Sequence, residues 1–537
     1  MPEPPHAPNA PHAAGRRVVP VALALAAALA AAFLVAPPLG TDLAAQEARA
    51  SFFDRHGFTP IDLGWYGGVN QFGYSLVSQV LGAWFGPPVV GAVAAVVSAV
   101  AFAHLLRRTA ARRPVLGAVL GAVVLVGNLV SGRITFAVGL AFGLLALATV
   151  AGTGGGRAAR LPVAALLAAL ATWASPVAGL FVGLAGGALL LAGCRRPDGA
   201  GWRDDRWLPE ALVLCLAPVV ALAPMAVLFG NGGRQPFTAE SMRINIALAV
   251  LVIVVLPAGR RTLRIGAALT IVLLLLAYHL PSPIGSNALR LPMLFAVPVL
   301  AGYATLGRRW LAGLLVAVVW WQPPVMTSDL AWAGAAASGA DFYRPLADEL
   351  RRRAPVGRVE VVPLRDHWES RHIAPVVPLA RGWERQVDVD RNPLFYTDPI
   401  DPADYRDWLR DNAVSLVAVA PDSPPDRYAR GEAALIATGL PYLRQVWRDQ
   451  TWRLYAVDDP EPLVAAPAQL VESTAAAVRF RLDRPADVLV RVRWSRWLTL
   501  TGPGGCLAPG PDGWTRVRAT APGEQTLSSG FRPGPTC

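Results

Sequence analysis

Long apolar runs with short polar connections fill roughly the first 322 residues, and short alternating runs fill the rest. The apolar stretches cover 18–38, 89–106, 115–131, 134–151, 161–174, 176–193, 210–229, 243–257, 265–280, 290–306 and 310–322. Each approaches the ~20 residues a bilayer core requires, and the shorter ones suit tilted or half-inserted helices. This pattern predicts about eleven transmembrane helices. Beyond residue 327 the period changes. Strand-like runs at 358–362, 415–419 and 452–457 alternate with helical stretches at 345–353, 404–412 and 433–437, which predicts a small α/β domain. After the linker Asp459-Pro460-Glu461-Pro462, runs at 478–482, 488–494 and 514–519 read as strands and turns only, a compact β-sandwich. The expected fold is a membrane all-α domain, then an extracytoplasmic α/β domain and a small β-sandwich. Its boundaries are a tail at 1–17, the polytopic domain at 18–326, and outer domains at 327–458 and 459–537.

Composition agrees with a membrane class: 54% of residues are hydrophobic and 16% charged. The net charge of +12 does not point to nucleic acid, because the basic residues, all arginine, fall in clusters at every second connection. These are residues 16–17, 107–113, 157–160, 195–206, 260–264 and 308–309. By the positive-inside rule the N-terminus is cytoplasmic, and an odd number of helices leaves everything after residue 322 outside a plasma membrane. Richness in Ala, Gly, Pro and Arg without lysine fits a GC-rich bacterial genome. The first span also admits a reading as a cleaved signal peptide, which would leave the segment after it on a free tail. Cys194 and Cys215 fall at the cytoplasmic side. Cys506 and Cys537 share the terminal β-region, where they are a disulfide pair or two free thiols. The spacing offers no zinc site.

The first outer loop, residues 39–88, carries the candidate chemistry. Asp42 follows the first span directly, at the border with lipid, where an unpaired charge is costly. Glu47 lies five residues on, off the same helical face, and is a secondary candidate. The loop continues through Trp65-Tyr66-Gly67-Gly68 to residues 74–81, an amphipathic stretch suited to a surface helix. Tight hairpins follow at Arg133 and at Ser175-Pro176. An Asp just after helix one, a long first loop with a surface helix, tight hairpins and an outer C-terminal region together resemble the C-type (GT-C) polytopic membrane glycosyltransferases, in loop wording their actinobacterial-type members.

The resemblance implies transfer of a sugar from a polyprenyl-phosphate lipid to a cell-envelope glycan or glycolipid acceptor on the outer face, by inversion. It puts the family's first-loop aspartate at Asp42, as general base on the acceptor hydroxyl. The bland alternative for Asp42 is a cap for the helix that starts at Leu43. Many members carry an adjacent acidic pair in this loop and this chain does not, so a divalent metal stays open and no cofactor is assigned. Arg133 and Arg290 lie on the side where the orientation rule does not favour arginine. They either hold the donor phosphate or snorkel to headgroups and pair locally. In the outer region Trp368, Trp383, Glu384 and Arg385 form an aromatic and charged run, either an acceptor-binding surface or a docking surface against the membrane domain. Trp494 and Trp497 raise the same choice between glycan and packing. Two other classes compete with an enzyme. One is a transporter or flippase built on proline-interrupted helices, weakened by the near absence of ionisable residues within spans. The other is a non-catalytic envelope-assembly protein. No Walker or dinucleotide motif is present.

Overall fold

The computed structural model describes residues 11–152, 156–193, 207–323, 327–532, 534 and 536–537. Helix α1 (Pro11–Val35) is followed by two short helices of the first loop, α2 (Leu43–His56) and α3 (Ser78–Phe85). Then come α4 (Pro87–Arg108), α5 (Pro114–Gly127), α6 (Ile134–Ala151), α7 (Arg157–Ala174), α8 (Pro176–Gly193), α9 (Leu208–Phe229), α10 (Ala239–Val255), α11 (Arg261–His279), α12 (Arg290–Tyr303) and α13 (Arg308–Trp321). Each expected apolar run is thus a helix. Four of them start on a proline, where a missing N–H leaves no bond unmade. Among the described residues eight are long and apolar enough to cross a membrane. The others, α10, α12 and α13, have 17, 14 and 14 residues. The outer helices of this set turn apolar side chains outward: Val219, Val220, Val227 and Val254 are more than half exposed. Such a surface is satisfied by lipid and not by water, and the chain is a multi-pass membrane protein. The arginine cluster expected at 195–206 and the thiol of Cys194 lie outside the described residues.

The two ends of the bundle differ. At one end Arg113 donates to the carbonyls of Ala304 (2.7 Å) and Leu306 (2.6 Å), and Arg260 to those of Thr109 and Ala110. The other end carries the first loop and everything after α13. The surface helix α3 begins one turn later than the sequence suggests. Ser75 takes the N-terminal bonds, its Oγ accepting from the amides of Val77 (3.2 Å) and Ser78 (2.9 Å).

The outer region contains α14 (Thr327–Ala331), α15 (Ala340–Arg353), α16 (Glu369–His372), α17 (Arg385–Arg391), α18 (Pro402–Asp411) and α19 (Arg430–Ala437). The first loop contributes a small hairpin, β1 (Ile61–Asp62) and β2 (Val69–Asn70). A mixed sheet follows, with β3 (Arg358–Val361), β4 (Val414–Val419), β5 (Leu443–Arg448) and β6 (Arg453–Val457) in the order β3-β4-β6-β5. Only β3 and β4 run parallel. Strand β5 escapes a periodicity reading because it is an edge strand without a buried residue. The last domain is a sandwich of β7 (Gln469–Ser473), β8 (Val478–Leu482), β9 (Ala486–Arg493), β10 (Leu498–Thr501), β11 (Gly505–Pro509), β12 (Trp514–Ala519) and β13 (Gly523–Ser529). Its antiparallel sheets have the orders β10-β13-β8-β7 and β11-β12-β9. Val478, Phe480 and Leu482 face Val488, Val490 and Val517 across its core. Cys506 and Cys537 are joined, their Cα atoms 5.1 Å apart.

The first loop binds these parts to one another. Ile61 and Leu63 belong to the sandwich core. Trp65 and Tyr66, two residues on, belong to the core that runs from the helices into the mixed sheet.

Candidate functional site

Asp42 is held by an interlocked pair of turns. Its amide donates to the Ser131 carbonyl (3.1 Å). A Cβ on Gly40 (φ +91°) would lie 2.2 Å from the Ser131 carbonyl carbon, and one on Gly132 (φ +71°) 2.3 Å from the Leu43 nitrogen. Only glycine permits both the backbone conformation and the approach. The Asp42 carboxylate does not cap α2: no side-chain bond reaches the helix's first amides. Instead its Oδ2 lies 3.5 Å from Arg133 Nε and 3.9 Å from Arg290 Nη2. Three residues from the start of α2, the start of α6 and the start of α12 therefore converge at one end of the bundle.

Beside them opens a small crevice lined by Asn128, Ser131, Arg133, Arg290, Met293 and Leu294 among others. Its wall holds two buried donors without a hydrogen bond among the described residues: Asn128 Nδ2, and Arg133 Nε, which has only the loose 3.5 Å ion-pair contact to Asp42. Buried donors are nearly always satisfied, so these two suit a ligand that brings acceptor oxygens. The Arg290 guanidinium also lies over the Phe136 ring at 5.0 Å. Met293 and Leu294 supply an apolar flank next to the cations.

Two further residues belong to this corner. Asp329 of α14 is buried and lies 3.3 Å from Arg365 Nη2. Burial raises its pKa, while Ser131, Arg365 and Arg133 pull it down and Asp42 adds to the rise. Tyr74 is enclosed, and its pKa is raised by burial first and then by Asp42. Asp329 was missed because it lies almost 290 positions from Asp42 in the chain; a carboxylate just past the last apolar run is the signal that could have marked it. Among the described residues no group of three or more His, Cys, Asp or Glu side chains is placed to hold a metal ion. Two carboxylates amid Arg133, Arg290 and Arg365 are already matched by cations, a donor set that fits an anion better than a divalent metal.

The other expected site residues lie elsewhere. Glu47 points to α16, where burial raises its pKa and Arg371 lowers it, and among the described residues no ion pair links it to the Asp42 corner. The run 368–385 is folded against the first loop. Trp368 is buried and stacks on His372 (5.7 Å). Trp383 lies flat on His367, with ring centroids 3.6 Å apart and 8° between planes. Glu384 binds Arg49 at 2.6 Å with both side chains buried. Arg385 makes a two-pronged pair with Asp426 (3.0 and 2.8 Å). The Trp65-Tyr66-Gly67-Gly68 stretch receives this run: Tyr66 donates to the Gly382 carbonyl (2.7 Å), and Arg391 donates to the carbonyls of Tyr66 and Gly68. Trp497 packs as well, stacked on Phe229 at 5.4 Å and donating to the Leu228 carbonyl.

No family model and no curated protein matches this chain. Among solved structures it is similar to the arabinofuranosyltransferase AftD from Mycobacteria, at 15% identity and TM-score 0.47 over 96% of this chain and 57% of that one. The chain thus spans little more than half the length of that relative. It is also similar to the Archaeoglobus fulgidus oligosaccharyltransferase tethered with an acceptor peptide, at 11% identity and TM-score 0.47, over 76% of this chain and 69% of that one. A third is ArnT from Cupriavidus metallidurans bound to undecaprenyl phosphate, at 15% identity and TM-score 0.41, covering 83% and 98%. At such identities and scores, function has to be argued from the residues of the site.

Proposed function

We propose that this chain is a membrane glycosyltransferase of the C type, moving a sugar from a polyprenyl-phosphate donor to a cell-envelope acceptor at the outer face. The observation that carries the reading is the crevice: a carboxylate and two guanidiniums converge beside an apolar wall and buried donors that lack a hydrogen bond among the described residues. Loose contacts of 3.5 and 3.9 Å leave Arg133 and Arg290 free to turn toward a phosphate. Bidentate guanidinium–phosphate bonds are among the strong charge-assisted kind. The donor's phosphate would sit on these two residues, with its first isoprene units along Met293 and Leu294. As the bond from the anomeric carbon to the phosphate oxygen breaks, the two cations would stabilise the charge developing on that oxygen. Asp42 would take the proton of the acceptor hydroxyl as its oxygen attacks from the opposite face, which inverts the centre. Sidedness follows from charge. The end with Arg113 and Arg260 faces the cytoplasm, and the end with Asp42 faces out. An outer site has no access to nucleotide sugars, so the activated sugar must arrive on lipid.

The test is to incubate the purified protein in lipid nanodiscs with a panel of radiolabelled polyprenyl-phosphate sugars and a cell-envelope glycan extract. Label passing to the glycan with release of polyprenyl phosphate supports the reading. No transfer from any donor, together with substrate-dependent uptake into proteoliposomes, would replace it with a transporter.

A further inference from the structure

The outer domain reaches the peptide bond that precedes Asp42. Trp383 donates its indole N–H to the carbonyl of Thr41 at 2.6 Å. The Asp42 amide is tied on the other side to Ser131, so the Thr41–Asp42 peptide is held from both directions. One hold comes from the turn between α5 and α6, the other from the outer domain. The indole is itself fixed by two neighbours. His367 covers it at 3.6 Å in parallel stacking, and the Arg385 guanidinium lies 4.5 Å from its ring centroid. His367 is buried in an uncommon backbone conformation for a residue with a side chain (φ +57°). Its Nδ1 lies 3.1 Å from Glu369 and its Nε2 3.7 Å from Asp426. Burial opposes a charge on this ring, but the two carboxylates outweigh it and raise its pKa. Asp426 in turn holds Arg385. A guanidinium and a stacked imidazole on one indole, with two carboxylates behind them, make a column with few alternative arrangements. Cation–π contacts that exclude water are the stronger ones.

We infer that Trp383 is a positioning residue for Asp42: the outer domain sets the carboxylate's place through the Trp383 indole N–H on the Thr41 carbonyl, with His367 and Arg385 fixing the indole. The inference rests on the reading of Asp42 as the base. It goes beyond that reading by giving the outer domain a part in the chemical step without contact with substrate. A general base must sit within hydrogen-bond reach of the proton it takes, and misplacement by about 1 Å can cost on the order of 10²-fold in rate.

The experiment compares full-length wild type, Trp383→Phe and Tyr66→Phe in nanodiscs. Trp383→Phe keeps an aromatic ring under His367 and Arg385 but cannot donate to Thr41. Tyr66→Phe removes two other bonds of the same interface, the one to the Gly382 carbonyl and the one from the Glu384 amide. Transfer kinetics are read alongside amide hydrogen exchange of peptides covering residues 38–46. The expected result for Trp383→Phe is a kcat lowered roughly 10–100-fold with an unchanged KM for the donor lipid. Exchange at residues 40–43 should rise at least several-fold, and Tyr66→Phe should change neither. A Trp383→Phe enzyme with wild-type kcat would overturn the inference and leave the proposed function intact. Equal loss in both variants, with exchange rising across the whole interface, would overturn it in favour of simple domain adhesion. If wild type transfers no sugar from any donor, the proposed function fails and exchange alone decides. Unchanged exchange at 40–43 in Trp383→Phe then removes the anchoring too, and a local rise retains it.

Discussion

Replacing Glu384 by alanine should destabilise the protein through one buried contact. Arg49 of α2 and Glu384 meet at 2.6 Å, with side chains 7% and 3% exposed, so losing the carboxylate leaves a buried cation without its partner. Breaking a buried pair from one side typically costs about 3–5 kcal/mol. Arg49 keeps two aromatic neighbours, Trp65 at 5.3 Å and Tyr74 at 4.5 Å, each able to return about 0.5–2 kcal/mol. The expected loss is therefore at the low end, ~3 kcal/mol. The backbone amide of Glu384 and its bond to Tyr66 survive the change. Removing both charges in Arg49→Met/Glu384→Leu should restore most of the loss, because replacing a whole buried pair by apolar groups is often neutral. The assay is a double-mutant cycle on reversible unfolding in mixed micelles. A Glu384→Ala variant within about 1 kcal/mol of wild type would show that the pair is solvated and that the first loop does not close against the outer domain.

Arg133→Ser and Arg290→Ser should each weaken binding of polyprenyl phosphate by roughly 10–100-fold, the worth of one charged hydrogen-bonding group at about 1.5–3 kcal/mol. Scintillation proximity binding measures this, and unchanged affinity in both would empty the crevice of its assigned role. Reducing Cys506–Cys537, which closes 31 positions of chain, should destabilise the sandwich by ~3–4 kcal/mol; limited proteolysis with and without reductant should then release fragments from beyond residue 459. Reporter fusions after Arg113 and after Gln322 should report opposite sides of the membrane, and the same side for both would invalidate the placement of Asp42 at the outer face.

Much of the architecture is legible in the sequence because apolar runs and arginine clusters are physical requirements of a bilayer. The helices form where the runs lie, and the alternation in Val478-Arg479-Phe480-Arg481-Leu482 marks a sandwich strand directly. Strand β5 is invisible because an edge strand such as 443–448 can be held by pairing alone, without an apolar face. The convergence of Asp42, Arg133 and Arg290 is anticipated by a single consideration, that charges at the same interface of a bilayer lie at the same depth. Asp329 is not, since nothing local links it to the first loop. The aromatic and charged run 367–385 illustrates the limit of composition. Stacked rings beside carboxylates and arginines suit a sugar and a buried interface equally well, and only the partners decide. Gly382 is telling: a Cβ there would lie 2.4 Å from Trp65, so the run is shaped to approach the first loop.

The central claim is that Asp42 acts in the chemical step and not in holding the fold. Single-turnover transfer from a labelled polyprenyl-phosphate sugar, compared between wild type and Asp42→Asn with donor binding measured on the same samples, addresses it directly. The account predicts a rate lower by ~10²–10⁴-fold with donor binding retained within a few-fold, because Asn preserves the volume and the backbone bond to Ser131. Equal rates in the two proteins would contradict it.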